Sequence, residues 1–92
     1  MTIKKLTRMP YAQAHIEIDE NGNIYLFSYV TLVATLTADK WLTVYGLYSC
    51  TTCKHISAFI KEYCPLIDYS TAKSIYKANL RMNIETGEVE NL

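Results

Sequence analysis

Polar and apolar residues alternate in His15-Ile16-Glu17-Ile18-Asp19, as they do along a strand with one buried face. Asp19-Glu20-Asn21-Gly22-Asn23 follows, and Asn-Gly accepts the positive φ of a tight hairpin, so a turn is predicted there. Asn23–Tyr29 then reads as an aromatic-rich strand and Thr31–Leu36 as a β-branched one. Thr37-Ala38-Asp39-Lys40 reverses the chain, Trp41–Tyr45 returns, and Gly46 permits a bend before Leu47–Ser49. Strands joined by short turns predict an antiparallel meander. The periodicity changes after Thr51-Thr52, either of which can cap a helix. Ile56, Phe59, Ile60 and Tyr63 fall on one helical face, and Pro65 predicts a stop just after Cys64. Ser70 is a candidate cap for a second helix, with Ala72, Ile75, Tyr76 and Leu80 on its buried side. Residues 1–11 read as an arm or short edge strand. Residues 82–92 read as an acidic tail or a terminal hairpin turning at Glu85-Thr86-Gly87-Glu88.

The fold class expected is therefore α+β, an antiparallel meander of about four strands covered by one or two α-helices in a single small domain, residues 1–92. Both strand faces carry apolar residues. Ile24 and Leu26 oppose Tyr25, Phe27 and Tyr29, and Leu42 and Val44 oppose Trp41, Thr43 and Tyr45. One helix covers one face, so the aromatic face needs another cover, either the second helix or a second subunit. A homodimer is one such arrangement. Left open, Tyr25, Phe27, Tyr29, Trp41 and Tyr45 would make a stacking platform for bases or a protein interface.

Charge refines this picture. The 92 residues carry a formal net charge of zero, which argues against a DNA mimic and against a general polyanion binder. The charges are segregated, however. Lys4, Lys5 and Arg8 make the start basic, and Glu17, Asp19 and Glu20 form an acidic corner. Lys54, Lys61, Lys73, Lys77 and Arg81 outnumber Glu62 and Asp68 in the helical half. On a helix, Lys73, Lys77 and Arg81 would form one basic stripe, either a solvated face or a contact for phosphates or for the acidic tail. No apolar run reaches the length of a membrane span, and the first ten residues do not read as a signal peptide. The three cysteines are an odd number, best explained as free thiols in a reducing cytoplasm.

Reactive side chains crowd one junction, Ser49-Cys50-Thr51-Thr52-Cys53-Lys54-His55. Cys50 and Cys53 make a Cys-x-x-Cys where a helix N-terminus would favour a thiolate, but a meander rather than a βαβ unit precedes it. Cys50, Cys53, His55 and Cys64 make a poor zinc set. Residues 53 and 55 point about 200° apart on a helix, and Cys64 lies roughly 16 Å from Cys53 by helical rise. A Cys50–His55 nucleophile has no carboxylate nearby in sequence. Ser49, Thr51, Thr52 and His55 read instead as a hydrogen-bonded strand-to-helix junction, with the imidazole bonding Ser49, Thr51 or a carbonyl. No metal, no cofactor and no catalytic residue is expected.

Two runs carry a resemblance. Ser28-Tyr29-Val30-Thr31-Leu32-Val33-Ala34 and Tyr48-Ser49-Cys50-Thr51-Thr52-Cys53-Lys54-His55-Ile56-Ser57-Ala58-Phe59 resemble the Ser-Tyr-x-Thr-x-Val/Ile-Ala and Tyr-Ser-x-Thr-Thr-x-Arg/Lys-His-Ile-x-x-Phe runs of a family of small uncharacterised proteins from bacteriophages, plasmids and integrative elements. The resemblance covers about residues 24–63 and sets both cysteines at variable positions. It implies a mobile-element accessory protein in a bacterial host cytoplasm. By analogy, such a protein docks on a host protein, for instance as an inhibitor of a CRISPR effector, without catalysis. The alternative is a nucleic-acid-binding accessory protein. The residues expected to meet a partner in either case are Tyr25, Tyr29, Trp41, Tyr45, Lys73, Lys77 and Arg81.

Overall fold

A computed structural model describes residues 1–10 and 12–92 of the chain. Tyr11, the last residue of the expected arm, lies outside the described residues. The elements run β1 (Thr2–Lys4), β2 (Ala14–Ile18), β3 (Ile24–Ser28), β4 (Thr31–Leu36), β5 (Trp41–Val44), α1 (Cys50–Tyr63), α2 (Tyr69–Lys77), β6 (Leu80–Asn83) and β7 (Val89–Asn91). The class is α+β. Among the described residues the sheet has seven strands, not about four, in the order β1 to β7 with every neighbouring pair antiparallel. The extra strands are β1 and the β6–β7 hairpin, which take the strand alternative in the two end segments; β6 starts at Leu80, a residue that helical spacing assigns to the second helix. β1 and β7 have three residues each, too few to show a period of two.

Register explains the core. Ile16, Leu26, Ala34 and Val44 lie opposite one another across four strands. Ile24, Leu36, Leu42 and Met82 make the next such row. A β-bulge lies just beyond the first row: Leu26 faces Ala34, but Phe27 faces Leu32, so Val33 is the unpaired residue. The inserted residue lets consecutive Val33 and Ala34 both be fully buried, which strict alternation forbids. Both helices lie on this face. α1 supplies Ile56, Phe59 and Ile60 over β3 and β4, and α2 supplies Ala72 and Ile75 over β5 and β6. Leu6, from the segment after β1, is buried in the same cluster.

The element ends differ from expectation in three places. The N-cap of α1 is Ser49, whose hydroxyl accepts the Thr52 N–H at 3.1 Å, rather than either threonine. The N-cap of α2 is Asp68, which accepts the Thr71 N–H at 2.9 Å, and Ser70 lies inside the helix. Lastly, α2 stops at Lys77 because Asn79 turns left-handed at φ 62, which releases Leu80 and Arg81 into β6. Leu47–Ser49 is not a strand; it links β5 to α1. The exposed Tyr48 ring folds back over Gly46, occupying the space a Cβ would take, and could swing aside for one.

Phe59 is fully buried and stands where α1 meets the sheet. Phe59→Ala is expected to lower unfolding stability by about 3–5 kcal/mol, the transfer term plus an unfilled cavity. Urea denaturation would measure it, and a loss under about 1 kcal/mol would mean that α1 contributes little to the core.

Candidate functional site

The two sequence runs that carry the resemblance meet in space. β3 ends at Ser28, whose even position turns its hydroxyl to the helix side, where it is 2 % exposed. A buried hydroxyl needs a partner. Ser28 Oγ shares a hydrogen bond of 2.8 Å with His55 Nδ1 and another of 3.2 Å with Thr52 Oγ1. Ser49 donates to Thr52 Oγ1 at 3.2 Å. One assignment of hydrogens uses each hydroxyl proton once: Ser49 to Thr52, Thr52 to Ser28, and Ser28 to His55 Nδ1. It leaves the imidazole neutral with its proton on Nε2. Burial agrees, since desolvation lowers the His55 pKa below its usual 6.5.

Tyr29 closes the outer side. It is the first residue of the β3–β4 turn and adopts φ 57, an uncommon conformation for an aromatic residue. Its ring lies 6.1 Å from the His55 ring, tilted 53°. Its N–H donates to Gln13 O at 2.6 Å, which ties the turn to the approach of β2. Ser49, Thr52 and His55 of the expected junction are thus brought together, and Thr51 is exposed outside it. The imidazole partner is Ser28, not Ser49, Thr51 or a carbonyl.

A serine and a histidine at 2.8 Å resemble a nucleophile and its base. Three features point to bracing instead. The pair is buried, the third member is a hydroxyl that brings no charge to steady an imidazolium, and Ser28 already shares hydrogen bonds with both neighbours. The cysteines stand apart. Cys50 is exposed, Cys53 is half-buried, and burial pushes the Cys64 thiol up to about 12. Among the described residues, no three His, Cys, Asp or Glu side chains gather as a metal set. No described helix is long and apolar enough to cross a membrane.

The sheet face opposite the helices is the second candidate. The second helix does not cover it, because α2 packs beside α1 on the other side. The register lines up Ile3, Glu17, Tyr25, Thr35 and Thr43 across β1 to β5. His15 stacks on Phe27 with centroids 4.9 Å apart, and the Arg81 guanidinium lies 4.7 Å from the centre of the Trp41 ring. Carboxylates tether these groups. Glu17 bonds His15 at 2.9 Å, Asp19 accepts from the Tyr25 hydroxyl at 3.0 Å, and Glu90 pairs with Arg81. Burial opposes ionisation of Asp19, but hydrogen bonds from Asn23, Tyr25 and Asn21 outweigh it and hold its pKa below the usual value. The same hydrogen bond to Asp19, followed by burial, raises the Tyr25 pKa, so the pair stays a hydroxyl on a carboxylate.

The expected partner-binding set is therefore split. Tyr25, Trp41, Tyr45 and Arg81 gather at the open face, where Arg81, Tyr45 and Thr43 help line a cavity of about 350 Å³. Tyr29 lies in the turn beside His55. Lys73 and Lys77 lie exposed on α2, and the three-residue basic stripe does not form. Sequence reading missed Ser28 as a network member. Its signal was a serine continuing the buried parity of Ile24 and Leu26.

The chain belongs to the DUF8033 family, a family of unknown function, whose model matches residues 2–80 and so takes in both runs of the junction. No curated protein and no solved structure matches the chain.

The depressed His55 pKa fixes a pH dependence. The folded state binds the proton less well than the unfolded chain, so this contribution to stability is complete above 6.5. It is lost as pH falls from there through the folded pKa. Denaturation midpoints of the natural chain should fall across this window, and those of His55→Gln should fall less. Ser28→Ala strands His55 Nδ1 and Thr52 and should cost about 1–3 kcal/mol by urea denaturation at neutral pH.

Proposed function

We propose that this chain acts without catalysis, by docking on another protein through the open face of its sheet. The observation that supports the reading is the company on that face: Tyr25, Trp41, Tyr45 and Arg81, residue types rich in binding energy, with carboxylates holding Tyr25 and Arg81 and the Arg81 guanidinium lying over Trp41. Stacked and tethered side chains lose little freedom on binding, which favours affinity. The choice of protein over nucleic acid follows from charge. Glu17, Asp19 and Glu90 border the aromatic groups, so a phosphate backbone approaching Trp41 or Tyr25 meets negative charge. A basic protein surface meets its complement.

The identity of the partner rests on the resemblance to proteins of mobile elements. On that reading the chain is an accessory protein in a bacterial cytoplasm, and the partner is a host defence protein such as a CRISPR effector. Such effectors carry positively charged channels for nucleic acid, and an acid-rimmed aromatic face suits a surface of that sign.

Affinity capture from a bacterial lysate expressing CRISPR effectors tests this directly. The natural chain should retain an effector, and the Trp41→Ala, Tyr45→Ala double variant should lose about 2 kcal/mol or more of binding while keeping its circular dichroism spectrum. Retention of nucleic acid with no protein, or equal capture by the double variant, would refute the reading.

A further inference from the structure

A groove on the other side of the molecule carries a different chemistry. The segment after β1 crosses α1 and is fixed there twice. Leu6 is fully buried, and the Thr7 N–H and hydroxyl both donate to the Glu62 carboxylate, at 2.7 and 3.2 Å. These anchors hold the next two residues, Arg8 and Met9, against the helix. Between segment and helix lies a cavity of about 320 Å³, lined by Arg8, Met9, Lys54, Ser57, Ala58 and Lys61. The four helix residues follow at spacings of three, one and three, so they share one face of α1.

Three cations therefore surround one cavity. Among the described residues, the ion pairs are His15–Glu17 and Arg81–Glu90, so none of the three has a carboxylate partner. The carboxylate nearest in sequence, Glu62, is engaged by Thr7. Those donors are neutral, so Glu62 keeps its charge and offsets part of the repulsion among the three cations; the excess that remains favours an anion in the cavity. Ser57 adds a hydroxyl, and Met9 with Ala58 supplies an apolar floor. Lys54 and Lys61 stand two helical turns apart, roughly 10.5 Å along the axis, with Arg8 facing them from the segment. That spread suits two neighbouring phosphates better than one.

We infer that the groove between the N-terminal segment and α1 binds a ligand with two adjacent phosphate groups, held by Arg8, Lys54 and Lys61. Arg8 offers a planar fork to one phosphate, and the two lysines act as point charges on either side. The diphosphate can come from a small molecule or from successive phosphates of a nucleic-acid strand. The zero net charge of the chain does not oppose this, because most of its acidic residues lie elsewhere, in the Glu17–Glu20 corner and the final hairpin, and beside the groove the one carboxylate of Glu62 faces three cations.

The test uses the full chain with two probes: inorganic pyrophosphate by titration calorimetry and a short fluorescent single strand of DNA by anisotropy. At least one should bind. Binding should weaken about tenfold or more in each of Lys54→Gln and Lys61→Gln, and further in the triple variant with Arg8→Gln. Both lysines are exposed and glutamine suits a helix, so unchanged melting curves will show that the variants fold. Pyrophosphate alone binding assigns the site to a small ligand. Strand binding that falls steeply with salt, and with the same variants, assigns it to a nucleic-acid backbone. Failure of both probes to bind, or binding that all the variants retain in full, overturns the inference.

Discussion

A hydrogen bond of 2.8 Å between Ser28 and His55 joins residues 27 apart in the chain, inside the core. Much of the architecture follows from it. Ser28 ends β3 and His55 lies in the second turn of α1, so the bond fixes where the helix lands on the sheet. Thr52 and Ser49 extend it back to the helix cap, which means that capping α1 and docking it are one network rather than two. A buried polar network of this kind is costly when incomplete and specific when satisfied. Here each hydroxyl has a neighbour, and Tyr29 shields the imidazole at the expense of a left-handed backbone.

That landing point decides which sheet face is free. With α1 seated over β3 and β4, α2 continues over β5 and β6, and both helices are used on one side. The opposite face then keeps its aromatic residues half-exposed, organised by stacking and by carboxylate tethers. The N-terminal segment, fixed by Leu6 and Thr7, shapes a cationic groove along α1. An acid-rimmed aromatic face and a basic groove thus occupy separate sides of a chain whose net charge is zero. A binding protein can use both at once, since neither surface borrows residues from the other.

Much of this was legible in the sequence. Alternation in His15–Asp19 and the β-branched run Thr31–Leu36 announced their strands, and Ile56, Phe59 and Ile60 announced the buried side of α1. The errors have physical causes. Three-residue edge strands are too short to alternate visibly. Leu80 continues the helical spacing of Tyr76, so the left-handed turn at Asn79 was overlooked and Arg81 was put on a helix instead of over Trp41. Several hydroxyls lie near the start of α1, and periodicity does not choose among caps one or two residues apart. The Ser28–His55 contact is long-range, so each half was visible only as part of a recurring run.

Nitrogen NMR of the His55 imidazole across a pH titration tests the central claim most directly. The account predicts a neutral ring at neutral pH, protonated on Nε2 with Nδ1 as acceptor, that takes up its second proton only below 6.5. A ring that is cationic at neutral pH, or that titrates at or above its ordinary value, would contradict a bracing role and reopen the case for a working serine–histidine pair.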